Sequence, residues 1–69
     1  MYTPTQAQLN SEKLLNKQGF RFNNWIAHRP YEDGEPAEGT EHLGIMVMIR
    51  RPNRFTREYR EIDPNGTVI

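Results

Sequence analysis

The sequence predicts a small α+β fold: one N-terminal helix packed on a three- to four-stranded antiparallel sheet, in the order α-β-β-β with a short C-terminal strand as the fourth. Three observations carry this. The only long apolar run, Leu43-Gly44-Ile45-Met46-Val47-Met48-Ile49, has the length and the β-branched content of one strand. An N-terminal segment carries helix-start chemistry and apolar residues at helical spacing. Turn signals at Pro52-Asn53 and Asp63-Pro64-Asn65-Gly66 then cut the remainder into strand-sized pieces.

The helix comes first. Thr3 can cap, Pro4 suits the first helical position, and Gln6 stands three residues after Thr3, as in a capping box. The helix should run to Lys17 or Gln18 and stop at Gly19, which tolerates the left-handed conformation of a C-terminal cap. Ala7, Ser11, Leu14, Leu15 and Gln18 form a narrow stripe, enough for a lid on a sheet. Lys13 and Lys17 complement the helix dipole near its end.

Phe20 to His28 reads as the first strand. Alternation puts Phe20, Phe22 and Ile26 on one face and Trp25 with Ala27 on the other, unless a bulge at Asn23-Asn24 flips Trp25. Residues 29–42 hold Arg29 against Glu32, Asp33, Glu35, Glu38 and Glu41, with prolines and glycines between them. This predicts a solvated, flexible acidic loop inside a single domain spanning residues 1–69. In the apolar run, Leu43, Ile45, Val47 and Ile49 point one way and Met46 and Met48 the other. The Ile/Val side is expected to meet the helix.

The segment from Phe55 to Ile62 fits a strand or a helix. Phe55, Tyr59 and Ile62 have helical spacing, but its arginines come first and its acids last, against the dipole. Strand is the expectation. A Pro52-Asn53 two-residue loop would need a positive φ that proline cannot adopt. A three-residue loop, Pro52-Asn53-Arg54, sets Tyr59 opposite Val47 and Phe55 opposite Arg51, with both aromatics on the core side. Asp63-Pro64-Asn65-Gly66 then turns the chain into a short terminal strand, Thr67-Val68-Ile69.

Composition bounds function. At 69 residues, with 35% hydrophobic and 26% charged, the core is small, but three Phe, three Tyr and one Trp enlarge it. There is no cysteine, hence no disulfide framework and no thiolate metal site, which fits a cytoplasmic protein. No apolar stretch approaches the ~20 residues of a membrane span. The N-terminus lacks the basic and apolar regions of a secretory signal. Asn65-Gly66-Thr67 matches a glycosylation sequon, which a cytoplasmic chain would not use.

No motif for a nucleophile or a phosphate loop occurs. His28 and His42 flank the acidic loop at a spacing that matches no metal motif, and Asp33, Glu35 and Glu38 have no scaffold to hold them as catalytic carboxylates. The expectation is a protein that is not an enzyme and needs no cofactor or metal.

Two binding surfaces remain. Trp25, Met46 and Met48 would form an apolar patch on the uncovered sheet face, suited to a protein partner or a second copy of the chain. This is the leading expectation. The alternative is nucleic-acid binding through Arg50, Arg51, Arg54, Arg57 and Arg60, which stand against Glu58 alone in residues 50–60, with Phe55 and Tyr59 interleaved. Net charge of zero and a pI near 6.7 weigh against a dedicated nucleic-acid binder. The same arginines would also blunt an exposed hairpin against edge-to-edge pairing.

Overall fold

The computed structural model of the protein describes residues 3–27, 31–32, 35–36 and 44–69. The chain runs as helix α1 (Gln6–Lys17) and strands β1 (Arg21–Ala27), β2 (Tyr31–Glu32), β3 (Glu35–Pro36), β4 (Gly44–Asn53) and β5 (Thr56–Ile62). Strands β1, β4 and β5 form one antiparallel sheet in the order β1-β4-β5, and α1 lies against it. The α+β architecture read from the sequence is the one observed. Strands β2 and β3 make a separate two-stranded pair, Tyr31 opposite Pro36 and Glu32 opposite Glu35. The rest of the acidic stretch, with His28 and His42, lies outside the described residues.

Helix α1 starts two residues later than the Thr3 frame expects. Thr5 is the N-cap: its hydroxyl accepts from the Gln8 amide at 3.0 Å, and its own N–H donates to Gln8 Oε1 at 3.0 Å. Both frames satisfy the capping rule locally. Tertiary partners choose between them. From the Thr5 frame, the Gln8 side chain is fully buried and donates to the carbonyls of Gly44 at 2.7 Å and Ile62 at 3.0 Å. The Thr5 hydroxyl donates to Pro64 O at 2.6 Å. One amide thus ties the start of the helix to both β4 and β5. The other end closes as a Schellman motif: Gly19 N–H bonds Asn16 O, Phe20 N–H bonds Leu15 O, and Gly19 takes a φ of +95°. The accompanying apolar contact of that motif is supplied by Leu15 and Phe20, both core residues. Leu14, expected in the stripe, is 60% exposed, because the helix turns Gln8 and Leu15 inward instead.

The sheet is covered on the opposite face from the one expected. Leu15, Phe20, Met46, Met48 and Ile62 form the buried core beneath α1, with Trp25 packed against them. Met46 and Met48 are 2% and 0% exposed, so they are the centre of the core and not an open patch. Trp25 does stand with the methionines, directly opposite Met46, because the register slips between Phe22 and Asn24 and leaves Asn23 as an extra residue. The bulge at Asn23-Asn24 is present. It puts Phe22, opposite Met48, on the same side as Trp25, and the two rings meet at 5.5 Å between centroids. Ile45 pairs with Ile26, Val47 with Asn24 and Glu61, and Ile49 with Arg21 and Tyr59, all on the outer face. Both residue sets of β4 are apolar, so alternation alone left the choice of face undetermined.

Residues 56–62 are a strand. The turn to it is Arg54-Phe55, a two-residue connection, with Asn53 opposite Thr56 and Arg50 opposite Glu58. Tyr59 therefore faces Ile49, not Val47, and Phe55 sits in the turn, not on the core side. Proline is accommodated in β4 because the register shifts between Arg50 and Asn53, so Arg51 and Pro52 together oppose Arg57. Beyond β5 the terminal segment makes an isolated bridge, Val68 to Ile62, and not a further strand. The Asp63–Gly66 turn closes on itself, with Asp63 Oδ1 accepting from the N–H groups of Asn65 and Thr67 and Gly66 N–H donating to Asp63 O at 2.8 Å. It is strapped to the helix by the Thr5 hydroxyl donating to Pro64 O and the Ser11 hydroxyl donating to Gly66 O.

Candidate nucleic-acid interface

Pairing between β1 and β4 ends at Arg21 opposite Ile49. From Arg50 onward β4 has only β5 as a hydrogen-bonded neighbour. The sequence here is Arg50-Arg51-Pro52-Asn53-Arg54-Phe55-Thr56-Arg57-Glu58, so a two-stranded basic ribbon extends past the three-stranded sheet. At ~3.3 Å per residue the four positions from Arg50 to Asn53 carry it ~13 Å beyond β1. Its tip is closed locally. The Asn53 side-chain oxygen accepts from Phe55 N–H at 2.8 Å, the side-chain-to-backbone bond that lets asparagine set a turn.

The five arginines divide by what they already hold. Arg50 is built into the fold. Its Nε and Nη2 reach Glu58 Oε1 at 2.9 and 2.8 Å, and its Nη1 donates to the Gln18 carbonyl at the end of α1 at 2.9 Å. Its guanidinium also lies 4.7 Å from the Phe20 ring centroid. Its aliphatic stem packs by Gly19, where a Cβ would stand 3.3 Å from Arg50 Cδ. Arg60 lies 5.1 Å from the same ring and donates to the Tyr59 carbonyl at 2.8 Å. These two cations flank a buried aromatic and serve packing.

Arg51, Arg54 and Arg57 are exposed and have no carboxylate partner among the described residues. Strand alternation sets Arg51 and Arg57 on the outer face, opposed across the ladder, with Arg54 at the turn. Phe55 beside it is 83% exposed, with the Arg54 guanidinium 4.8 Å from its ring centroid. The ribbon tip therefore offers three positive charges and one open aromatic ring. Glu58, the one acid within residues 50–60, is already spent on Arg50.

The structure brings together only part of each expected site. Of the apolar set Trp25, Met46 and Met48, the methionines are inaccessible and the tryptophan is partly buried against them. Of the arginine set, Arg51, Arg54 and Arg57 remain available, and Arg50 and Arg60 do not. Phe55 was expected in the core; Asn53, placed two residues before it, is the signal that a turn would carry it outward. On the outer sheet face Ile26 and Tyr59 are 40% and 48% exposed. His28, His42, Asp33 and Glu38 lie outside the described residues, as does the side chain of Glu35. Among the described residues no group of three or more His, Asp or Glu is placed to hold a metal ion, and no helix is long and apolar enough to cross a membrane. Comparison of the chain with known protein families, with curated proteins and with solved structures gives no match.

Proposed function

We propose that this protein is a non-catalytic binding module whose β4–β5 ribbon docks on nucleic-acid phosphates through Arg51, Arg54 and Arg57. One observation carries the reading. Three exposed arginines share a projecting hairpin with no carboxylate partner among the described residues, beside an aromatic ring that is 83% exposed. Phosphate contacts from arginine are bidentate and sequence-independent, and they set register more than specificity. The chain is neutral overall, but its cations are concentrated locally, with five arginines against Glu58 alone in residues 50–60. A cysteine-free chain with such a ligand fits the cytoplasm.

The test is an anisotropy titration with labelled oligonucleotides at about 50 and about 200 mM salt. Three phosphate contacts give a log–log slope of about −2 to −2.7, or a fall of about 20- to 40-fold over that range. Arg51→Ala with Arg57→Ala should cut the slope to about −0.7 to −0.9. Absence of binding at the lower salt sinks the reading.

A second reading retains a protein partner, or a second copy, and moves it from the Trp25–Met46–Met48 set to the outer face. The exposure of Ile26 and Tyr59 beside Ile45 and Ile49 favours it. Tyr59→Asp with Ile26→Asp would then change the sedimentation of a chain that still folds. An unchanged monomer in both forms removes the second copy from this reading, and failure of the parent chain and the variant to differ in partner capture removes the rest.

A further inference from the structure

We infer that the ribbon tip takes unpaired bases, so that the ligand is a single strand and Phe55 is its stacking platform; this rests on the nucleic-acid reading above. Fold and turn leave the Phe55 ring without a structural task. The turn is closed by the Phe55 backbone N–H donating to the Asn53 side chain, a bond any residue but proline could donate. The core is complete without it, as Leu15, Phe20, Met46, Met48, Ile62 and Trp25 already fill the space under α1. Yet an apolar ring stands 83% exposed at the most projecting point of the hairpin.

The neighbouring geometry suits a base. The Arg54 guanidinium, 4.8 Å from the ring centroid, forms a cation–π pair with Phe55 and adds a second planar group on which a base can stack. Arg51 and Arg57 oppose one another just behind the turn. They lie two to four residues along the chain from Phe55, within ~7–13 Å by strand rise. Stacking platform and phosphate clamps therefore share one small tip, the combination used for single strands.

A duplex fits less well. A two-stranded ribbon can enter the major groove, but there each base has both faces covered by its neighbours. Phe55 would meet only base edges, or would have to wedge a step apart against the stacking energy. In a single strand, the ring meets exposed base faces at no such cost.

The experiment uses the intact chain and labelled dT15, rU15 and a dT15·dA15 duplex, with Phe55→Ala, Phe55→Leu and the Arg51→Ala/Arg57→Ala pair. Either single strand should bind at least about tenfold more tightly than the duplex, and the tighter of the two identifies the preferred sugar. Phe55→Ala should weaken single-strand binding by about tenfold or more with the salt slope unchanged. Phe55→Leu, apolar but not flat, should behave like Phe55→Ala. The arginine pair should instead flatten the salt slope. The exposed position of Phe55 predicts an unchanged melting curve for both of its variants. Duplex binding equal to or tighter than single-strand binding, with Phe55→Ala silent, overturns this inference and leaves the phosphate reading standing. Loss of all nucleic-acid binding at low salt, or equal competition by polyglutamate, overturns both.

Discussion

The β4–β5 ladder is one continuous pair of strands, but its two ends are built on different principles. At the root, Met46, Met48 and Ile62 lie under α1 with β1 alongside. Polar groups there are few and fully used: the Gln8 amide is buried, and its Nε2 and Oε1 all have partners. At the tip, Arg51, Arg54, Phe55 and Arg57 are exposed. Between the two regions stands Arg50, bonded to Glu58 across the ladder and to the Gln18 carbonyl of the helix, with Phe20 beneath it. The contrast teaches a division of labour. Stability sits where side chains are desolvated, and the groups proposed to bind nucleic acid sit where a change costs the fold little.

Substitutions can break this contrast, and the largest effect should come at the root. Phe20→Ala removes a fully buried ring that also stacks beneath two guanidinium groups. The expected loss is about 3–5 kcal/mol, comparable with the whole stability of a domain this small. Circular dichroism at 25 °C should therefore show a largely unfolded chain. A cooperative melt close to that of the parent would show that the core lies elsewhere.

Gln8→Leu keeps the volume and deletes the bonds to Gly44 O, Ile62 O and Thr5 N. Leaving those partners unmade should cost about 2–4 kcal/mol in urea unfolding. A neutral result would mean that water replaces the amide. Gly66→Ala should come next. Gly66 has a φ of +84°, and a Cβ there would stand 2.8 Å from the Ala7 carbonyl oxygen, so the strap must move off the helix. About 1–3 kcal/mol is expected, and protease resistance of the C-terminal residues should fall with it.

The boundary residue gives a smaller effect. Arg50→Gln loses a partly exposed ion pair and a bond to the helix end, together about 1–2 kcal/mol. Hydrogen exchange should quicken in the amides of Asn53 to Glu58 more than in Val47 or Met48. Uniform quickening would show that root and tip open as one unit. The smallest stability effect belongs to the tip, where Arg57→Ala and Phe55→Ala should each stay within about 0.5 kcal/mol while altering oligonucleotide binding. A loss of several kcal/mol at either position would erase the distinction between the two ends.

Much of this could be read along the chain, and particular residues show where reading stopped. Gly19 announced the helix stop, because a left-handed cap needs a residue without a Cβ. Asp63-Pro64-Asn65-Gly66 announced its own turn. Thr3 and Thr5 both satisfied a capping box, and only the reach of Gln8 to Gly44 and Ile62 decided between them. For the site, the arginine cluster was legible as charge. Which three arginines remained available was not, because the claims on Arg50 and Arg60 come from Phe20, Gln18 and Glu58. The misplaced Phe55 has a similar cause: proline argued against a turn at Pro52-Asn53, but a register shift moved the turn two residues on.

Local chemistry by itself determined the order of the helix and the three strands of the main sheet, though not the small β2–β3 pair. It also determined the helix stop, the C-terminal turn and the basic character of residues 50–60, since each depends on neighbours a few positions away. The covered face of β4 belonged to the tertiary structure. Ile45, Val47 and Ile49 are as apolar as Met46 and Met48, and alternation cannot rank two apolar sides. The choice was made when Leu15 and Phe20, brought inward by the helix cap, met Met46 and Met48, and when the extra residue at Asn23 turned Trp25 toward them.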